Sequence, residues 1–385
     1  MNLNNFAGIP DKITGITLYK CNIFATKKFS FGTWTSRQHV MVSIRSGDKT
    51  GWGENIIETN QPDISLEGWK ECLMQLEGLT VSEAIELLRS RMGVWRDRLT
   101  EMTEMALIDL AGKVTGKNAL ELLELPGRTP VYGVYVILSD DLDFVDDRAR
   151  YAVQNNKDRF IKVKLFGDPE LDQAVVRTVR KYAPRPNTYL IGDVNGGYKP
   201  EREGAADTES IAENLKALYQ AGLDACEDPA YCTNAEWVQL QSLCGELELI
   251  PDYPMRPSSE AIRTILPGMG RIYNIHPGSA GSVFDAIRLA RHIQGMNAKL
   301  MIGDDSLVGP GCTIWQQLAL GLGADWVEAT EKQTESDFYY ECVRHLATDS
   351  SKAPIPVDTD CAGFGVELNE QKLAERASET VPVFG

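Results

Sequence analysis

From Pro130 onward the chain repeats one beat, a short apolar run followed by an amphipathic helical stretch. Eight runs can be counted: VYGVYVIL, RFIKVKLF, TYLIGDVN, LDACED, ELELIPD, RIYNIH, KLMIGD and DWVEAT. Between most of them lie helical patterns such as PELDQAVVRTVRKYA, TESIAENLKALYQAG and VFDAIRLARHIQG. Strands joined through a helix pair in parallel, because the crossover returns the chain to the same end of the sheet. Eight such units suit a closed barrel, which takes about 250 residues. The expected fold class is α/β, a (β/α)8 barrel over residues 130–349. An open doubly wound sheet is the alternative.

The first third, 1–129, does not share this beat. ITGITLYKCNIF and RQHVMVSIRSG alternate as antiparallel strands do, and DKTG before WGENI reads as a turn. From about residue 66 to 125 the spacing turns helical, with Gly112 and Gly116 interrupting EMALIDLAGKVTGKNALELLEL. An α+β domain is expected here. The tail, 350–385, with CAGFGVELNEQKLAERA, looks irregular and is expected to pack back on that domain.

The net charge of −16 argues against a nucleic-acid backbone or an anionic membrane as partner. No apolar run approaches the roughly 20 residues needed to span a bilayer. The N-terminus, MNLNNFAGIPDK, lacks the layout of a secretory signal. The eight cysteines form no C-x-x-C pair and no dense framework, as in reduced thiols. A cytoplasmic protein is expected. Nucleotide motifs are missing too: no G-x-x-x-x-G-K-[ST] occurs, and GMG at 268–270 precedes a strand instead of following one.

Barrel enzymes carry their chemistry at the C-terminal ends of the strands. Two lysines, Lys162 and Lys164, stand one residue apart in IKVKLF. Positions i and i+2 of a strand share a face, so both ammonium groups would enter the interior, at a cost unless something compensates them. Asp193, Glu227 and Asp252 end three successive runs, one βα unit apart. Singly, each reads more readily as a helix cap or loop residue. Together they converge on one mouth and repel unless a cation intervenes, and an all-oxygen set suits Mg2+. Such a metal beside two lysines suits removal of a weakly acidic proton α to a carboxylate, with one lysine as base. Crowding by Lys162 is expected to leave one lysine partly neutral. Asn195, His276, Asp304 and Glu328 end further runs.

At these residues the sequence resembles the enolase superfamily, in its mandelate racemase and muconate lactonizing enzyme branch. FGTWTSRQHVMVSIRSGDKTGWGENI is similar to that family's capping-domain hairpin, and ALIDLAGKVTGKNALELLEL to its helix leading into the barrel. KVK matches the second-strand lysine motif. DVN, CEDP and PD fall where the family holds Mg2+, and CAGFGVELNEQKL resembles its closing segment. The resemblance implies an α+β capping domain, completed by the C-terminal segment, over a modified (β/α)8 barrel. Segments 23–33 and 54–65 would overlie the mouth. It further implies Mg2+ on Asp193, Glu227 and Asp252, Lys162 holding the enolate, Lys164 as base on one face, and a homo-oligomer acting on a small carboxylate-bearing substrate.

The departures bear on the reaction. His276 stands on the sixth strand where lactonizing and epimerase members carry lysine. The histidine of racemase-like members falls here at or near Gly303. PGSAGS lacks the usual arginine and paired glycines, and Arg256 follows Asp252 closely. His276 is expected to serve the second face, oriented by Asp304 or Asp305. As an imidazolium it would expel hydroxide, so dehydration of a hydroxy or sugar acid to a 2-keto-3-deoxy acid is expected. The alternatives are racemisation, epimerisation or cycloisomerisation, and a binding or inactive relative of the same fold. Glu328 is expected to hydrogen-bond a developing oxygen. Asn195, Arg256, Lys28 and Trp34 are expected to meet the substrate.

Overall fold

The computed structural model describes residues 3–125, 130–332 and 334–385. Three long antiparallel strands, β1 (Gly15–Phe29), β2 (Gly32–Ser46) and β3 (Lys49–Thr59), make up most of the four-stranded N-terminal sheet. Across it lies the helix Asp97–Thr115, whose residues 99 to 113 are all buried because the barrel covers its other side. Two glycines bring sheet and helix together. A Cβ on Gly51 would stand 2.1 Å from the carbonyl oxygen of Ala106, and one on Gly53 2.1 Å from that of Met102. Gly112 does not interrupt the helix. It makes room for Gly363 of the tail, whose Cα would lie 2.4 Å from a Cβ there, and the chain leaves the helix at Gly116 in the left-handed conformation.

The barrel follows the counted runs. Strands β4 (Tyr135–Ile137), β5 (Phe160–Lys164), β6 (Tyr189–Asp193), β7 (Ala225–Glu227) and β8 (Glu248–Ile250) form one parallel sheet. Strands β9 (Ile272–Ile275) and β10 (Lys299–Ile302) form a second. The amide of Asn274 bonds to the carbonyl of Pro251, joining the two. The eighth run closes the ring, since Val327 bridges to Ile302 on one side and to Gly133 on the other. The expected barrel is therefore present, and the open sheet is not. The expected boundary after residue 129 lies outside the described residues.

The tail departs from its expected irregularity. After residue 366 it forms the helix Glu370–Arg376 and the strand β11 (Glu379–Phe384), which pairs antiparallel with the outer edge of β1. Pro382 within ETVPVF argues against a central strand, and it is tolerated because β11 is an edge. The tail also grips the domain it completes. Asp109 accepts from the amides of Phe364 (2.7 Å) and Trp52 (3.0 Å), and the amide of Ala119 bonds to the carbonyl of Gly363. Among the described residues no helix is long and apolar enough to cross a membrane, and all eight cysteines are free thiols.

Candidate active site

Period-two alternation sorts the barrel interior into layers. The lowest is apolar: Val134, Ile191, Ala225, Ile250, Ile272, Met301 and Trp326 pack together, with Phe160 and Tyr189 against them. Counting two residues up each strand from that plug gives Lys162, Asp193, Glu227, Asp252, Asn274, Gly303 and Glu328. The next step gives Lys164, His276 and Asp305. Polar chemistry is thus confined to the C-terminal mouth by the same parity that fills the base with hydrocarbon.

At the mouth the charges interlock. Lys164 is the register partner of Asp193, and Asp193 of Glu227. The Lys162 ammonium donates to Glu227 Oε2 (2.7 Å) and Glu328 Oε2 (2.9 Å) and stands 3.1 Å from Asp193 Oδ2. Lys164 donates to Asp193 Oδ2 and to Asn195 Oδ1 (2.9 Å). Burial alone would lower the Lys162 pKa, but Asp193, Glu227 and Glu328 outweigh it and hold this lysine well above its ordinary value. Of the two lysines, Lys162 is thus the one held charged. Asp193 is buried as well, yet Lys162 and Lys164 hold it below the usual carboxylate range.

The lysines do not satisfy the whole cluster. Burial, opposed by Lys162 and aided by Asp193, raises Glu227. Burial, opposed by Lys162 and aided by Glu227, raises Glu328 to about 7. Glu328 Oε1 and Asn274 Oδ1 are buried without a hydrogen-bond partner. Asp193, Glu227 and Asp252 are all about 1% exposed, on three neighbouring strands. As the side chains stand, no three His, Cys, Asp or Glu groups among the described residues enclose a metal position. Lys162, Lys164 and Arg256 take their oxygens instead, Arg256 Nε lying 3.1 Å from Asp252 Oδ1. An all-oxygen, buried donor set that remains short of positive charge fits a hard divalent cation such as Mg2+.

His276 is 7% exposed, with Nε2 3.9 Å from Asp252 Oδ2. Its Nδ1 lies 2.9 Å from Ser279 Oγ and 3.8 Å from Asp305 Oδ1. Burial first, then Arg256, Lys162 and Lys164, push its pKa down to about 3, against the pull of Asp305. That shift favours the neutral ring over the expected imidazolium. Asp304 turns the other way: it pairs with Lys332 (2.5 Å) and accepts from the amide of Leu307 (2.8 Å). Asp305 is the carboxylate that faces His276. Gly303 carries no side chain because Asn274 fills that space, its Oδ1 lying 2.5 Å from where a Cβ would sit.

The tip of the β1–β2 hairpin covers the mouth. Ser30 Oγ donates to the carbonyl of Asn195 (3.2 Å), and the Phe29 ring lies 5.3 Å from the Lys164 ammonium. Phe29, Phe31 and Trp34 pack as a group, with centroids 4.6 Å apart for Phe29 and Trp34. Beneath them is a cavity of about 1360 Å³ that reaches Tyr135, Arg148 and Tyr151 on the far wall. Trp34, Asn195 and Arg256 line it, whereas Lys28 does not. Lys28 is exposed, pairs with Asp140, and leaves the inward place to Lys27. Lys27 and Arg37 both bind Glu335, tying the hairpin to the barrel. Arg37, Glu335, Lys332 and Asn274 went unnoticed in the sequence. Asn274 alone carried a signal there, the parity it shares with His276.

No protein-family model matches the chain. It is 23% identical over 349 residues to the N-succinylamino acid racemase of Thermus thermophilus, covering 88% of this chain and 89% of that protein. It is 27% identical over 272 residues to the o-succinylbenzoate synthase of Geobacillus stearothermophilus, 68% of each. The crystal structure of a dipeptide epimerase from Cytophaga hutchinsonii, complexed with Mg and the dipeptide D-Ala-L-Val, has the same fold. It matches with a TM-score of 0.79 at 19% identity, over 97% of this chain and 100% of that one.

Proposed function

We propose that this chain, which belongs to the mandelate racemase and muconate lactonizing enzyme branch of the enolase superfamily, moves the proton α to a carboxylate and returns it with inverted configuration. The observation that carries this reading is the pair Lys162 and Lys164 inside a ring of buried carboxylates at the barrel mouth. Asp193, Glu227 and Asp252 would hold Mg2+. When bound, the ion adds positive charge beside the substrate carboxylate, which lowers the cost of the dianion formed on deprotonation. Lys162, kept charged by its three carboxylates, places an ammonium at the same oxygens. Lys164, the next inward residue of β5, serves one face of the α-carbon. His276 serves the other, held by Ser279 and Asp305.

A neutral imidazole can accept a proton but is a poor donor to a departing hydroxide. Proton return uses the ring as that acceptor in one direction and the imidazolium so formed as donor in the other, so the choice over dehydration of a hydroxy acid rests on the substrate. The substrate we infer is an N-acylated or N-peptidyl amino acid. A cavity of about 1360 Å³ exceeds the roughly 300–1,000 Å³ of an ordinary small-molecule pocket and leaves room for more than a small hydroxy acid. The aromatic wall of Phe29, Phe31 and Trp34 suits an apolar side chain. Arg148, stacked 4.7 Å from the Tyr151 ring, offers its guanidinium to a polar extension. The names of the racemase and epimerase relatives support the same class.

The test is incubation with Mg2+ in D2O of N-acyl amino acids, dipeptides and acid sugars, followed by proton NMR and polarimetry. Deuterium at the α-carbon with inversion supports the proposal. Accumulation of a 2-keto acid without inversion would replace it with dehydration.

A further inference from the structure

The mechanism leaves unexplained a carboxylate that touches neither the cavity nor the metal candidates. Glu101 lies on the helix Asp97–Thr115 of the N-terminal domain, fully buried. Its two oxygens take two backbone amides of the loop after β9: Gly278 N at 2.8 Å and Gly281 N at 3.0 Å. Both glycines have positive φ, +87° and +80°. Backbone turned in this way points amides into a concavity that accepts an anion. Here a side chain of the same protein fills it.

The loop that Glu101 grips carries the surroundings of His276. Ser279 Oγ, between the two gripped glycines, lies 2.9 Å from His276 Nδ1. The carbonyl of Pro277 accepts from the amide of Asp305, the carboxylate on the other side of that nitrogen. Arg98, one helical turn before Glu101, holds Asp305 at 3.3 Å. One turn of a capping-domain helix therefore fixes both groups that face Nδ1.

We infer that Glu101 is a positioning residue: through the loop of Gly278 and Gly281 it sets the orientation of the His276 imidazole, and so the proton transfer on one face of the substrate only. The inference rests on the reading of His276 as the group on the second face. A lateral error of about 1 Å at a reacting group costs up to about 100-fold. Lys164 sits on β5, away from this loop, and is unaffected.

The experiment uses the full chain with Mg2+ and compares wild type, Glu101→Gln, Glu104→Gln and His276→Asn. Glu104 is an apt control: it is equally buried at the same junction but binds Ser282 Oγ (2.8 Å) and Phe284 N (3.3 Å), beyond the gripped turn. Imidazole nitrogen NMR follows only four histidines, and His276→Asn assigns the signal. Glu101→Gln is expected to shift the His276 signals. It should also slow α-deuterium exchange of one enantiomer about 10- to 100-fold while the other stays within about twofold. Glu104→Gln should do neither. Unmoved His276 signals, or equal slowing of both enantiomers, would overturn the inference. If Glu101→Gln does not fold, Glu101→Asp, too short to reach both amides, is read the same way. Should His276→Asn slow neither enantiomer selectively, the role of His276 fails, while the NMR shift still decides whether Glu101 positions it.

Discussion

Replacing Lys162 with Met keeps roughly the volume of the side chain and removes its charge. Three buried carboxylates lose their shared cation at 2.7, 2.9 and 3.1 Å. Breaking a buried ion pair from one side costs about 3–5 kcal/mol, because the remaining charge is left uncompensated. Unfolding entropy of about 2.1 cal/mol/K per residue gives about 0.8 kcal/mol/K for a chain of 385 residues. The metal-free variant should then melt about 4–6 °C below wild type near pH 7, read by differential scanning calorimetry in EDTA. The sign with pH follows from the carboxylates: left without Lys162 they favour their neutral forms, so the deficit grows as pH rises. Added Mg2+ supplies the missing charge, so its stabilising shift should be larger in the variant than in wild type. Equal melting temperatures in EDTA, or equal Mg2+ shifts in both proteins, would refute the claim that this ammonium neutralises the cluster.

Lys164→Ala should keep the fold and lose α-proton exchange on one face by about 100- to 10,000-fold, measured by deuterium uptake from separate enantiomers. Lys28→Ala should leave kcat/KM within about twofold, because that side chain is exposed and paired with Asp140. Burial raises Glu104 to about 7 against the opposing pull of Arg89. A carboxyl whose folded pKa lies above its unfolded value contributes stability below the unfolded pKa and loses it as pH rises through the folded one. Wild type should therefore lose stability relative to Glu104→Gln between about pH 5 and pH 7 in chemical denaturation, and a flat difference would contradict it.

The barrel was legible because each strand is short, apolar and bounded by a helix, so the eight runs survive without knowledge of contacts. The mouth was legible for a related reason: Lys162, Asp193, Glu227 and Asp252 lie at the ends of those runs, where parity aims them inward. The misreadings are failures of parity. Asp304 and Asp305 are adjacent, and counting by twos from Met301 selects Asp305. On β1 the register shifts between Phe24 and Lys27, and that irregularity, invisible in the sequence, turns Lys27 inward and Lys28 out. Glu101 was hidden differently. It belongs to a helix buried from 99 to 113, where no polar face marks a phase and a buried carboxylate looks like any charged residue. The tail strand β11 carries Pro382, which its edge position accommodates.

Mg2+ binding to the purified chain can be followed by isothermal titration calorimetry in wild type and in Asp193→Asn, Glu227→Gln and Asp252→Asn. One ion per chain in wild type, weakened at least about tenfold by each substitution, is the predicted result. Binding that all three substitutions leave unchanged would contradict it, because the cation would then lie away from the lysines.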